Sequence, residues 1–201
     1  RSFGYAHPYA IFSNNYVDCT TIAENMHPEY YTVGIEAYQA DSTNVIFNNI
    51  FTNCRIGVRY EGDPTLFVRY SDFYNIAYEL FHGDSVIFDN CIFSNPMILD
   101  STDFHLQAYS PCIDTGDPNV YDPDSTRSDM GVYGGPWGES YVYLDLPPEV
   151  PDSLETEVAA GMDTIYLEWL FNTEADFNRY QFHRDTVDGF QPSVFNLIAE
   201  P

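Results

Sequence analysis

Three groups of side chains in this sequence have the types and spacing to do chemistry. Glu36, Arg59 and Glu79 close three similar phrases, Gly34-Ile35-Glu36, Gly57-Val58-Arg59 and Ala77-Tyr78-Glu79, so acid, base and acid stand at one recurring point. Stacked on adjacent strands they form either an exposed ion-pair ladder, worth on the order of a few tenths of a kcal/mol per pair, or a strip that binds sugar or a cation. Arg69 and Asp89 form the second group, an Arg beside a carboxylate, which reads as a surface pair or as a catalytic one. The third is Asp122, Asp124 and Asp129 in Asp122-Pro-Asp-Ser-Thr-Arg-Ser-Asp129. Closely spaced carboxylates and carbonyls are what Ca²⁺ requires, since it takes roughly six to eight oxygens. This stretch lacks the Gly and the distal Glu of an EF-hand loop. Its other reading is an Asx-turn loop with Arg127 tied to Asp124 or Asp129.

Ca²⁺ is thus the one cofactor for which the chain offers candidate ligands. His7, His27, His82, His105 and His183 are scattered, and none stands at ligand spacing with another or in a nucleophile motif, so none is assigned a catalytic role. Cys19, Cys54, Cys91 and Cys112 show no zinc-site spacing. Cys91 and Cys112 lie about one repeat apart and are the pair to consider for a disulfide, the alternative being buried free thiols.

The elements that position these groups repeat. Apolar runs Val45-Ile-Phe, Leu66-Phe-Val and Val86-Ile-Phe each precede a short run closed by Asn: Ile50-Phe-Thr-Asn53, Asp72-Phe-Tyr-Asn75 and Ile92-Phe-Ser-Asn95. Ile22-Ala-Glu-Asn25 reads as an earlier, looser copy. The closing residues Asn25, Asn53, Asn75 and Asn95 are 28, 22 and 20 residues apart. Such a period marks a solenoid, and three short β-rich runs per unit with no helical stretch make it a parallel β-solenoid. Each residue then stacks on its counterpart about 4.8 Å away. Asn suits the turn, because it tolerates the left-handed conformation and its amide can bond the next coil.

On these residues the sequence resembles the right-handed parallel β-helix proteins of the pectin-lyase-like superfamily, over about residues 10–140. The resemblance implies an all-β fold with an Asn ladder between the second and third strands of each coil. It puts 34–38, 57–60 and 77–81 on the third sheet, and 45–47, 66–69 and 86–89 on the first. Counting back from the asparagines then gives an outward column Phe47, Arg69, Asp89. In polysaccharide lyases of this fold, Ca²⁺ on acidic side chains neutralises a uronate and a basic residue takes the C5 proton. Here one Asp and one Arg supply too few oxygens for that metal, and the carboxylate cluster of a hydrolase is absent from the column.

The phrases Ser110-Pro-Cys-Ile-Asp-Thr-Gly116 and Asp129-Met-Gly-Val-Tyr-Gly-Gly-Pro136 resemble the ending of secreted bacterial β-helix proteins. The first would form the last partial coil and the second would leave the stack, together capping the exposed strand edges. Residues 1–143 are therefore read as β-helix and cap, and 144–153 as a Pro-rich linker. Residues 154–201 resemble the first half of a fibronectin type III-like β-sandwich, with Pro148 near its start, Trp169 on the second strand and Tyr180 on the third.

Thirty-one acids face seven bases, all Arg, for a net charge of −24. Nucleic acid and anionic membrane surfaces, which demand basic patches, are excluded as partners. No apolar run is long enough to span a membrane. Beginning at Arg1 in mid-repeat, the chain reads as a piece of an extracellular or cell-surface protein. The functional expectation is a monomer that binds polysaccharide or cell-surface glycan without catalysis; the alternative is a polysaccharide lyase or glycoside hydrolase whose catalytic residues lie upstream. Seventeen Tyr and fifteen Phe offer stacking platforms for sugar.

Overall fold

The computed structural model describes residues 11–20, 32–38, 45–151, 153–158 and 164–200. The chain divides into two compact units, residues 1–147 and 148–201. In the first unit the strands are β1 Ile11–Ser13, β2 Tyr16–Asp18, β3 Val33–Tyr38, β4 Val45–Phe47, β5 Ile50–Thr52, β6 Ile56–Glu61, β7 Leu66–Arg69, β8 Asp72–Tyr74, β9 Glu79–Gly83 and β10 Val86–Asp89. Each of β1 to β7 pairs in parallel with the strand three further along. The first sheet is β1-β4-β7-β10, the second β2-β5-β8 and the third β3-β6-β9. Such stacking of parallel sheets in an all-β chain is compatible with a β-solenoid.

Two turns per coil set the register. Between the first and second strands, Asn14, Asn48, Tyr70 and Asn90 take positive φ of 53°, 56°, 43° and 53°; between the second and third, Asn53 and Asn75 do so at 56° and 53°. Asparagine pays little for this conformation, and its amide bonds onward. Asn75 Nδ2 donates to Asn53 Oδ1 at 2.7 Å, and Asn53 Nδ2 to Asp18 Oδ1 at 3.1 Å. Asn95 Oδ1 instead accepts the Met97 amide, and Met97 is the left-handed residue there. Asn25 lies outside the described residues. The strand beneath β5 is β2, with Tyr16 opposite Ile50.

Inside the coils, Ile46, Phe51, Val58, Tyr60, Leu66, Val68 and Phe73 form a buried core. Alternation along each short strand sends Ile46 and Val68 inward from the first sheet, and Phe51 and Phe73 inward from the second. The rings of Phe51 and Phe73 stack at 4.7 Å. Gly57 is required where it stands, because a Cβ there would meet the Leu80 carbonyl oxygen at 2.7 Å and the Phe73 ring at 3.0 Å.

Residues 96–143 follow the last described strand of the first unit. They lie against the outer face of the second sheet, whose outward column is Tyr16, Ile50, Asp72 and Ile92. Leu106, Cys112 and Met130 close over Ile50, with Tyr16, Ile92, Ile98, Ile113 and Tyr143 packed around them. The reason is physical: that column is largely apolar and needs a cover. Polar bonds fix the cover at the first turn. Gly131 N donates to Asn48 O at 2.9 Å, Asp117 N to Asn48 Oδ1 at 2.6 Å, and Asn14 Nδ2 to Asp129 O at 3.2 Å.

The disulfide joins Cys19 to Cys54, while Cys91 and Cys112 are free thiols. Of the two readings of Cys91 and Cys112, the free thiols hold. Cys91 turns its thiol to the Val68 carbonyl, and Cys112 donates to Asp72 Oδ2. Cys19 and Cys54, 35 residues apart, follow equivalent second strands of adjacent coils.

In the second unit, β11 Glu155–Val158 pairs antiparallel with β12 Ile165–Glu168, and β13 Phe182–His183 with β14 Leu197–Ala199. Trp169 packs on Tyr180 and Phe182 at 5.3 and 5.1 Å. Both faces of β11 and β12 are exposed.

Two outcomes test this packing. Phe51→Ala is expected to lower unfolding stability by about 3–5 kcal/mol in denaturant titrations, whereas Phe67→Ala on the outward face costs less than about 1 kcal/mol. Cys19→Ser or Cys54→Ser is expected to cost about 2–4 kcal/mol by the same titration, since the bond closes a loop spanning a whole coil.

Candidate functional site

The outward face of the first sheet carries two parallel columns. Ile11, Val45, Phe67 and Ile87 stack in one, and Ser13, Phe47, Arg69 and Asp89 in the other. Both are outward because inward positions on the same strands hold Phe12, Ile46, Val68 and Phe88. Ile11, Phe67 and Ile87 keep 68%, 38% and 45% of their surface in water, so an apolar stripe runs across four strands beside a polar one. Arg69 places its guanidinium 5.3 Å from the Phe67 ring centre and its Nε 4.0 Å from Asp89 Oδ2. At that distance and exposure the ion pair is loose, leaving both groups able to meet a ligand in solvent.

The third sheet corrects one expected column. Glu36 does lie opposite Arg59, and Arg59 Nη1 donates to Glu36 Oε1 at 3.1 Å. The residue opposite Arg59 on the other side is His82, however, and Glu79 lies opposite Ile56. The amides of Tyr78 and Glu79 both donate to the Arg55 carbonyl. That fits one extra residue in the last coil between its Asn turn and its third strand, which shifts the strand's register. Glu79 pairs with His82 Nδ1 at 2.8 Å within its own strand, so Glu36, Arg59 and Glu79 do not form one acid-base-acid strip.

Asp122, Asp124 and Asp129 do not converge as a calcium site. Asp122 accepts the Asp129 and Gly135 amides, and Asp124 the amide and hydroxyl of Thr126. Asp129 accepts the Asp114 amide on Oδ1 and the Tyr143 hydroxyl on Oδ2. Their lone pairs serve the loop itself, as in the Asx-turn reading. Arg127 is tied to neither Asp124 nor Asp129: it donates to the carbonyls of Gly116 and Thr115 and lies over Tyr70. Among the described residues, no group of three or more His, Cys, Asp or Glu could hold a metal ion. Of the histidines, His105 pairs with Asp103 under the Tyr133 ring and His183 with Asn196; His7 and His27 lie outside the described residues.

A buried polar cluster was not anticipated. Asp72, on β8, is 0% exposed and accepts the Ser94 amide on Oδ1 at 3.1 Å and the Cys112 thiol on Oδ2 at 3.6 Å. Burial pushes its carboxyl up to about 7, against the lowering effect of those bonds. Burial likewise raises Asp129 to about 6 and the Cys91 thiol to about 11. The signal was visible in the repeat, where Asp72 replaces the Ile found at positions 50 and 92.

No protein-family model, curated protein or solved structure matches this chain. Among the described residues no helix is long and apolar enough to cross a membrane. The class rests on the fold itself, an all-β chain with stacked parallel sheets.

Arg69→Ala and Asp89→Ala are each expected to change unfolding stability by less than about 0.5 kcal/mol, with a coupling near zero in a double-mutant cycle. A coupling above about 1 kcal/mol would make the pair a structural bridge and remove it from the candidate site.

Proposed function

We propose that this chain is a secreted or cell-surface right-handed parallel β-helix of the pectin-lyase-like kind, joined to a fibronectin type III-like module. Its role is to bind neutral polysaccharide or cell-surface glycan without cleaving it. The observation that carries this reading is the exposed apolar column Ile11, Val45, Phe67, Ile87 beside Phe47, Arg69 and Asp89. Apolar and aromatic surface packs against the C–H faces of sugars, and the flanking charged groups can hydrogen-bond hydroxyls. Only one acid and one base stand in that polar column, which supports binding over hydrolysis by paired carboxylates.

Charge narrows the ligand. At a net −24 the chain repels polyuronates, whereas a neutral glycan carries no such penalty. The Cys19–Cys54 disulfide favours an oxidising compartment, as outside the cell.

Calorimetry or affinity electrophoresis against neutral and acidic polysaccharides tests the proposal. Binding to a neutral glycan, weakened about tenfold or more by Phe67→Ala and with no new reducing ends, is the expected result. Release of unsaturated or reducing products that Arg69→Ala abolishes would assign the chain to lyases or hydrolases instead.

A further inference from the structure

The cover over the second sheet closes on a carboxyl group that no cation among the described residues neutralises. Asp72 occupies a column position otherwise held by Tyr16, Ile50 and Ile92, and residues 96–143 bury it completely. Its surroundings are specific. From the cover comes the Cys112 thiol, itself 0% exposed and influenced by Asp129; from the chain that follows β10 come the Cys91 thiol and the Ser94 amide. Every titratable neighbour in that set is neutral or acidic. A bare carboxylate in such a place is costly, and the group either holds a proton or regains water. Regaining water means lifting the cover, because the cover is what excludes it.

We propose that residues 96–143 form a pH-dependent flap, which the protonated Asp72 lets close over the outer face of the second sheet and which the ionised Asp72 releases. The inference is independent of any ligand on the first sheet. Release would uncover Tyr16, Ile50 and Ile92, an apolar face hidden at acidic pH. Beyond Asp72 the flap is held by the apolar contacts of Leu106 and Met130 with Ile50, by Phe104 stacked on Tyr16 and Arg127 over Tyr70, and by bonds gathered on Asn14 and Asn48: the Gly131 amide on the Asn48 carbonyl, the Asp117 amide on the Asn48 side chain, the Asn48 side-chain amide on Ser128, and the Asn14 side chain on Ser128, Asp129 and Gly131.

The sign follows from linkage. Asp72 titrates higher when folded, at about 7, than in its exposed state, so its stabilising contribution is fully present below the exposed-state value near 3.8. It is lost as pH rises toward 7. Over that window one such group raises the open population up to about tenfold per pH unit, after which the dependence flattens. Asp129, raised to about 6, adds to the slope below that pH.

Amide hydrogen exchange on the full chain, expressed as protection factors so that intrinsic pH effects cancel, reads this directly. The Gly131 and Asp117 amides are expected to lose up to about a hundredfold in protection between pH 5 and 7. The Ile50 amide, bonded at 2.9 Å to the Asn15 carbonyl within the coils, should lose much less. Asp72→Asn keeps an acceptor for the Ser94 amide but no charge; it should remove the slope between pH 6 and 7 and leave Gly131 better protected than in the native chain at pH 8. Alkylation of Cys112 in the native chain, located by peptide mapping and normalised to the unfolded chain, should rise over the same window, so the idea remains testable if the variant does not fold. Flat Gly131 protection from pH 5 to 8, equal losses at Gly131 and Ile50, or an unchanged profile in Asp72→Asn would each overturn the flap.

Discussion

Everything in the first unit depends on two left-handed turns per coil repeating at the same place. A residue with positive φ between the first and second strands, at Asn14, Asn48, Tyr70 and Asn90, and another between the second and third, at Asn53 and Asn75, bend successive coils through the same path. Only then do strands of three to six residues, too short to be stable alone, find partners in the adjacent coil. Asparagine serves twice over, since its backbone accepts the conformation and its amide reaches neighbouring coils, as between Asn75 and Asn53 or Asn15 and Asn49. Stacked Phe51 and Phe73 rings inside the coils are a product of this register, and so is the outward stripe of Ile11, Val45, Phe67 and Ile87.

The same regularity explains where function can reside. The inner face is spent on the core and the outer face of the second sheet on residues 96–143, whereas the described outer columns of the first sheet stay partly open. That cover brings its own tension, because Asp72 lies beneath it and Asp129 within it, both largely withdrawn from water. The chain therefore carries a partly open surface on the first sheet and a covered one on the second, with two carboxyl groups buried at that cover.

Much of this was legible in the sequence, for a physical reason. From the first-sheet residue to the closing asparagine the spacing is constant, Phe47 to Asn53, Arg69 to Asn75 and Asp89 to Asn95, so the outward column could be counted and its register holds. The third strand was not countable in that way. An extra residue between Asn75 and β9 shifts the register, and the likeness of Ala77-Tyr78-Glu79 to Gly57-Val58-Arg59 misaligned the column. The Cys19–Cys54 bond is not legible from spacing, because the 35 residues between them exceed the repeat of the later coils. Nor does local pattern tell whether residues 96–143 cap the stack or flank it. That choice is made by the outward column Tyr16, Ile50 and Ile92, whose apolar character is clear only once the register is known. Asp122, Asp124 and Asp129 were seen as a set, but carboxylates that stabilise a loop and carboxylates that bind a cation are written alike in sequence.

Register between coils is the central claim, and nuclear Overhauser contacts on isotope-labelled protein measure it most directly. Cross-strand contacts joining Phe47 to Arg69, Arg69 to Asp89 and Arg59 to His82, together with one between the Asn53 and Asn75 side-chain amides, are the predicted result. Contacts joining Arg59 to Glu79, or none between Asn53 and Asn75, would contradict the stacking and the surfaces derived from it.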